Sequence, residues 1–285
     1  MAVSTILRSV KQAIWVGWKV ETNWADPLVF SIYYVIRPLA GLLIVGFVFL
    51  IGSAVAGAFR PEYFAYMFIG NTFFIYVLQV TMTMGFLIHE DRSHYEVLRH
   101  IYLSPGSLPY YILGRALNGV LNASISLVLT IGLGVLIFQG LIGISLPIDW
   151  LSANYPAVAL SLVVGTACMI SIGFIFSGIN LVTARIQFAL PDYVSGIFYL
   201  LGGVVFPPEI LPSWAQSVSN ALPITYFLQA VRSSFGLAQP YDTLGADLLY
   251  LGLTTVVTAV VGALVFKAAE YKARKDGLID RKEEY

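Results

Sequence analysis

One charge-dense segment, residues 89–109, interrupts an otherwise apolar chain and contains all three of its histidines. His89, His94 and His100 are five and six residues apart. Zinc ligands on a helix need a spacing such as i and i+4 to reach one face. The spacing therefore predicts no metal site and places the histidines at an interface or docking surface.

The sequence also lacks a motif for binding nucleotide phosphates. No stretch matches G-x-x-x-x-G-K-[ST], whose backbone N–H groups cradle phosphates, and no lysine follows a glycine. If the chain takes part in ATP-driven work, the ATPase must be another polypeptide. An intramembrane enzyme would need a nucleophile and a base, or metal ligands, at one depth, but the apolar runs hold no histidine. We therefore predict no catalytic residue and no cofactor bound by this chain.

Composition places the protein in a membrane. Of 285 residues, 58% are hydrophobic and 11% are charged, whereas soluble domains carry about 25% charged residues. The formal net charge is zero, which argues against a nucleic-acid partner. The single cysteine, Cys168, allows no intramolecular disulfide. Residues 1–30 lack the isolated apolar core of a cleavable signal peptide.

Hydrophobic runs predict an all-α integral membrane protein with six transmembrane helices. The runs are 35–58, 63–88, 110–138, 156–183, a half-length fifth run from Tyr193, and 244–267. Apolar and polar residues of 3–20 separate onto two faces at helical spacing, which predicts an amphipathic helix in the membrane interface. A helix packed on a soluble partner is the alternative. The chain is thus one membrane domain: an interface segment 1–34, a bundle 35–268 and a tail 269–285.

Basic residues predict the orientation. With the N-terminus in the cytoplasm, 14 of the 16 lysines and arginines lie on the cytoplasmic side, and only Arg60 and Arg232 do not. This asymmetry requires an even number of spans. Six spans with both termini inside satisfy it.

The segment after the fifth run cannot be one continuous helix. Pro207, Pro208 and Pro212 each lack an N–H, and their rings clash one turn back. The run that enters from Tyr193 is too short to cross a bilayer, yet the chain stays apolar as far as Val231. Irregular backbone at membrane depth is tolerated only where protein or a water-filled path surrounds it. We expect an external re-entrant helical hairpin between the last two spans, beside a pathway.

Polar side chains form stripes on two spans. The first stripe is Thr72, Tyr76, Gln79 and Thr83, and the second includes Asn118 and Asn122 together with Arg115 and Ser126. Polar groups in hydrocarbon usually face the bundle interior. They either line the pathway or hold helices together by hydrogen bonds, and the sequence leaves both open. The span interiors contain no Asp or Glu, which argues against a proton- or sodium-coupled carrier.

Two stretches resemble one transporter family. The order of Gly202, Gly203, Phe206-Pro207, Leu211-Pro212, Trp214, Asn220, Leu222-Pro223, Thr225-Tyr226 and Arg232 resembles the C-terminal pattern of type-2 ABC exporter permeases. These are the membrane subunits behind drug, polysaccharide and lipid-linked glycan export. Segment 89–109 resembles their cytoplasmic coupling helix through Glu96-Val97-Leu98-Arg99, Leu103-Ser104-Pro105 and Gly114-Arg115. His94-Tyr95 depart from the Gly-Thr pair common there.

The resemblance implies an ATP-driven exporter. Two copies, identical or a pair of related permeases, would form the pathway in contact with membrane lipid, and separate ATPase subunits would bind the ATP and Mg. The residues implied in coupling are Glu96, Val97, Leu98, Arg99, Leu103 and Pro105. Those implied in an external gate are Phe206, Pro207, Glu209, Pro212, Trp214, Asn220, Pro223, Tyr226 and Arg232.

The remaining hypotheses differ in the cargo and in the energy source of transport. The implied cargo is a lipophilic drug-like molecule, a lipid, or a lipid-linked glycan or polysaccharide. The implied location is a prokaryotic plasma or inner membrane. A carrier or channel independent of ATP shares the same layout, and it would function without an ATPase partner.

Overall fold

The architecture is helical throughout the part of the chain that a computed structural model describes, which is residues 3–23, 26–104, 107–183, 186, 189–237 and 243–279. The helices are α1 (Val3–Thr22), α2 (Pro27–Ala56), α3 (Pro61–His89), α4 (Leu98–Leu103), α5 (Leu108–Val135), α6 (Tyr155–Val182), α7 (Ala189–Leu201), α8 (Ser213–Ala221), α9 (Pro223–Ser234) and α10 (Leu244–Lys275). Glu90–His94 and Leu136–Leu141 are π-helical, and Pro208–Ile210 is a 3₁₀ turn.

Five of these helices are long and apolar enough to cross a membrane. The spans are Tyr34–Ala56, Pro61–His94, Leu108–Leu141, Tyr155–Val182 and Leu244–Lys275. This confirms the prediction of an all-α membrane protein. The shorter apolar helix α7 has 13 residues, a length of about 20 Å, so a sixth span and a re-entrant hairpin stay predictions.

Local sequence signals begin and end these helices. The Asp26 carboxylate accepts a hydrogen bond from the Leu28 N–H at 2.9 Å and caps α2. Gly57 ends α2 in the left-handed conformation, with φ of 65°. The Asn154 side chain caps α6 by accepting from the Ala157 N–H at 3.1 Å. Proline in the first turn of α2, α3, α5, α6 and α9 costs no hydrogen bond there.

Helix α3 is the centre of the bundle, in contact with α2, α5, α6, α7 and α9. Most of its residues are buried. Close helix contacts depend on small residues: Gly165 of α6 lies against the Phe227 ring of α9, and Gly173 lies against Met84 of α3. Helix α10 packs along α6, whereas the outward apolar faces of α2 and α10 remain exposed.

Gly173→Ala should destabilise the bundle. A Cβ at this position would lie 2.5 Å from the Met84 Cβ, so one helix must shift. We expect a loss of roughly 1–3 kcal/mol, typical of overpacking, measured as a lower unfolding temperature of the detergent-solubilised protein. Gly252→Ala is the matched control, because a Cβ on this α10 glycine meets no atom within 4 Å. Equal unfolding temperatures for the two variants would contradict the packing assignment.

Candidate functional site

The chain continues from α3 into the π-helical turn Glu90–His94 and leaves the helix at residues 95–97, before α4 begins. Its backbone is closed by the Tyr95 N–H donating to the Glu90 carbonyl at 2.9 Å and by the Val97 N–H donating to the Asp91 carbonyl at 2.9 Å. Between these bonds, Glu96 has a φ of 51°, the one positive φ among described residues other than glycine. This conformation costs a non-glycine residue about 1 kcal/mol or more.

Buried charges fix this turn to two neighbouring helices. The Arg115 guanidinium of α5 lies 3.4 Å from the fully buried Asp91 carboxylate and 3.6 Å from the Glu90 carboxylate. Arg92 donates to the Leu181 carbonyl at the end of α6 at 2.9 Å. Breaking a buried pair leaves an uncompensated charge, so such pairs hold their elements in one arrangement. The turn therefore moves together with α5 and α6.

Helix α4 has one anchored side and one exposed side. Leu98 is 1% exposed and belongs to an apolar cluster with Leu87, Ile88, Leu108 and Phe266. The predicted coupling residues Glu96, Arg99 and Leu103 are exposed, with Leu103 at 77%, and Val97 is half-buried. Pro105 lies outside the described residues. Leu98, which the resemblance implies in coupling, thus anchors α4 to the bundle.

The chain between α7 and α10 is a series of short helices. Gly203, with φ of 73°, turns the chain after α7 and contacts Pro208. Side chains close the turns that follow: Gln216 donates to the carbonyls of Glu209 at 2.9 Å and Leu211 at 2.8 Å. Thr225 of α9 donates to the Ser219 carbonyl of α8 at 2.7 Å. These bonds satisfy backbone oxygens that the helix breaks leave without helical partners.

Arg232 joins the broken segment to the centre of the bundle. Its side chain is 1% exposed, and its Nη2 donates to the Val204 carbonyl at 2.8 Å. Its Nε donates to the Tyr66 carbonyl of α3 at 3.2 Å, and the guanidinium lies 3.5 Å from the centre of the Tyr66 ring. Gly70 gives it room, because a Cβ there would collide with the guanidinium. The Val204 and Tyr66 carbonyls and the face of the Tyr66 ring thus surround the positive charge of Arg232.

The other predicted gate residues divide between surface and interior. Glu209, Pro212, Trp214 and Asn220 are exposed, Phe206, Pro207 and Tyr226 are half-buried, and Pro223 is buried. Tyr226 donates to the Asn220 carbonyl at 2.6 Å and stacks on Tyr250 of α10, with ring centres 5.2 Å apart. The predicted gate residues thus lie partly at the surface and partly in the interior of this segment.

The polar stripe of α3 faces its neighbours. Thr72 and Tyr76 are buried, and the Tyr76 hydroxyl is hydrogen-bonded to Thr166 of α6. Thr83 packs against Gly119 of α5, while Gln79 lies beside Tyr34 of α2. These contacts are interhelical within one copy. Pathway lining by this stripe stays a prediction.

The polar stripe of α5 binds a carboxylate that was not among the site residues predicted from the sequence. Asn118 donates from Nδ2 to Glu21 of α1 at 3.1 Å, and the Asn122 Nδ2 donates to the other oxygen of the same carboxylate. Helix α1 approaches closely here, because Gly17 lies against Asn118 and Gly114 lies against Ala13. The sequence signal for this acceptor was the pair Asn118 and Asn122, which lie one helical turn apart on the same helix as Gly114, the glycine packed against Ala13.

The environment of Glu21 favours its protonated form. Burial raises the pKa of the Glu21 carboxyl to about 7, and the nearby charge of Glu90 also raises it. The Arg115 charge and the hydrogen bonds from Asn118 and Asn122 act in the opposite direction. Helix α1 therefore presents a carboxyl to α5 that can change charge near neutral pH.

Comparison with known families agrees with these features. The model of the ABC-2 type transporter family matches residues 8–235, from α1 to the end of α9. The chain belongs to the ABC-2 type transporter family. It is a membrane component of an ABC-2 transporter, a permease, and its family implies partnership with an ABC ATPase subunit. A search among curated proteins found no match.

Arg232→Gln should destabilise this permease. The shorter neutral side chain cannot reach both the Val204 and the Tyr66 carbonyls, and an unpaired buried acceptor such as the Val204 carbonyl costs about 1–3 kcal/mol. We expect a lower unfolding temperature in detergent and faster protease cleavage between α7 and α8. Arg60→Gln is the control, because Arg60 is exposed. Unchanged stability of Arg232→Gln would contradict the role of this guanidinium as an anchor.

Proposed function

We propose that two copies of this permease form the translocation pathway of an ATP-driven exporter, with separate ATPase subunits docked on the exposed side of α4. The proposed cargo is a lipophilic drug-like molecule, a lipid, or a lipid-linked glycan or polysaccharide. ATP and Mg would bind to the partner subunits. The observation that carries the proposal is an exposed surface formed by Glu96, Arg99 and Leu103 on a segment anchored from its other side.

The anchoring supports mechanical coupling. A force on α4 is transmitted only if the helix cannot slide on the bundle, and Leu98 is held in the apolar cluster. The Asp91–Arg115 pair and the Arg92 bond to the Leu181 carbonyl connect the same segment to α5 and α6. Movement of an ATPase subunit against α4 would therefore displace three spans together.

The packed interior of one copy supports a pathway between two copies. Phe73 of α3 contacts the rings of Phe227 and Phe235, with centres 6.3 and 6.1 Å apart, in the middle of the bundle. Aromatic side chains thus fill the space between α3 and α9. The exposed apolar faces of α2 and α10 are available to lipid and to a second copy. A homodimer is the simpler assembly, and a heterodimer with a related permease follows the same geometry.

The face that carries Glu209, Trp214 and Asn220 is the proposed external gate. Trp214 is 67% exposed, and the helix that bears it is held by the Gln216 and Thr225 hydrogen bonds. In this proposal, Arg232 positions the gate from inside the protein and does not contact cargo.

Glu96→Ala combined with Arg99→Ala should uncouple the permease from its ATPase. Both side chains are exposed on the anchored segment, so their loss should weaken docking without unfolding the bundle. We expect cargo export to fall by about tenfold or more, as truncation of two interface residues can cause. The measurement is cargo accumulation in inverted membrane vesicles or export from cells, together with recovery of the ATPase subunit by affinity purification.

A matched control removes the same charges elsewhere. Arg60→Ala with Glu62→Ala deletes one basic and one acidic side chain, both exposed, at the start of α3, the end of that helix far from α4, and it should leave export unchanged. Undiminished export in the Glu96 and Arg99 variant would contradict the docking surface. Purification of an active protein with no ATPase subunit would instead favour an ATP-independent carrier or channel.

A further inference from the structure

Glu21 has no role in the coupling proposal, yet its carboxyl lies where α1 meets α5. Asn118 and Asn122 both donate to it. The Arg115 charge acts on Glu21 and also lies beside Asp91, the residue that anchors the segment before α4. A change in the charge of Glu21 therefore reaches the same guanidinium that fixes this segment.

The contact between α1 and α5 is close, and Glu21 is half-buried in it. Ala13 is 2% exposed and faces Gly114, where a Cβ would lie 2.5 Å from the Ala13 Cβ. Because the helices touch so closely, ionised Glu21 loses hydration when α1 is docked. The two asparagine donors replace part of that hydration.

We propose that Glu21 is a protonatable positioning residue, whose proton binding holds α1 on α5 and thereby sets the position of the 90–104 segment. The part that concerns α1 and α5 is independent of the proposed function. The part that concerns coupling rests on the proposed function.

The direction of the pH dependence follows from linkage. The carboxyl binds its proton more tightly in the docked state, where the pKa is about 7, than in water, where the ordinary value is 4.5. Protonation therefore favours docking. Docking is strongest at low pH, weakens as the pH rises from about 4.5 to about 7, and then changes no further.

Other charged or titratable groups face Glu21 from every element around it. They are Arg115 on α5, Glu90 at the end of α3, Tyr34 on α2 and Tyr95 after the π-helical turn. His89 and His94 lie nearer to Glu90. A Glu21→Gln variant separates the contribution of Glu21 from theirs, because its amide is neutral at every pH and leaves these neighbours in place.

Cysteine labelling can measure the docking of α1 without cargo or an ATPase. Ala13→Cys places a thiol on the buried face of α1, and Gln12→Cys places one at an exposed polar position of the same helix. The buried native thiol is removed by Cys168→Ser. The maleimide labelling rate at position 13 is divided by the rate at position 12 for each pH from 5.5 to 8.5. This ratio corrects for the rise of thiol reactivity with pH that both positions share.

With Glu21 present, the ratio should rise by about tenfold or more between pH 5.5 and 8.5, since one unit of pKa shift corresponds to a tenfold change. With Glu21→Gln the ratio should stay low and flat. Glu21→Asp keeps a titrating group and should keep a pH dependence, so it serves as the second variant if the glutamine variant does not fold. A flat ratio with Glu21 present, or the same rise in Glu21→Gln, would overturn the inference.

Export is measured separately from thiol labelling. If the coupling role holds, the pH profile of export should change in Glu21→Gln between pH 5.5 and 8.5. If the labelling ratio responds to Glu21 but export is independent of the 90–104 segment, the proposed function fails and the α1 contact stands. If export depends on α4 but the ratio is flat, only the Glu21 inference fails.

Discussion

A helix that breaks among apolar neighbours leaves backbone carbonyls without partners, and the rest of this fold depends on how they are satisfied. Val204, in the break after α7, is fully buried, so the donor to its carbonyl must come from the protein. Arg232 supplies this donor and also donates to the Tyr66 carbonyl, while its charge rests on the Tyr66 ring. Because the acceptors belong to the break after α7 and to α3, one side chain joins the irregular segment to the centre of the bundle. Its loss would remove a hydrogen bond from the buried Val204 carbonyl.

At the opposite end of α3, arginine side chains again bind buried groups of neighbouring segments, but the partners differ. There Arg92 donates to the Leu181 carbonyl, and Arg115 pairs with Asp91. Both ends therefore place an arginine where a helix stops and the chain turns. Helix α3 runs between the two sites for roughly 35–40 Å and is buried along most of its length. A helix so enclosed acts as a rigid connection between the two irregular regions.

Helix α1 shows how a surface helix can become part of the polar interior. Its amphipathic pattern predicts a polar face directed away from the membrane, and most of that face is exposed. Glu21, near its last turn, instead lies against α5 beside Asn118 and Asn122. Carboxylates of the spans lie near their ends, as Glu90, Asp91 and Asp247 do, and none lies in the middle of α5. The polar stripe of α5 nevertheless receives a carboxylate, because a neighbouring helix brings it.

Hydropathy and proline positions alone determined the helical membrane class, the place of the long spans and the break after α7. These features depend on properties of the local chain: a run of apolar residues cannot remain in water, and proline cannot continue a helix. The partners of Arg232, Asp91, Asn118 and Asn122 were decided only by the tertiary structure. They lie on helices distant in sequence, and which polar groups meet depends on how the helices rotate and pack. A polar stripe in the sequence shows that a partner is needed, but the rotation of the neighbouring helix decides which residue it is.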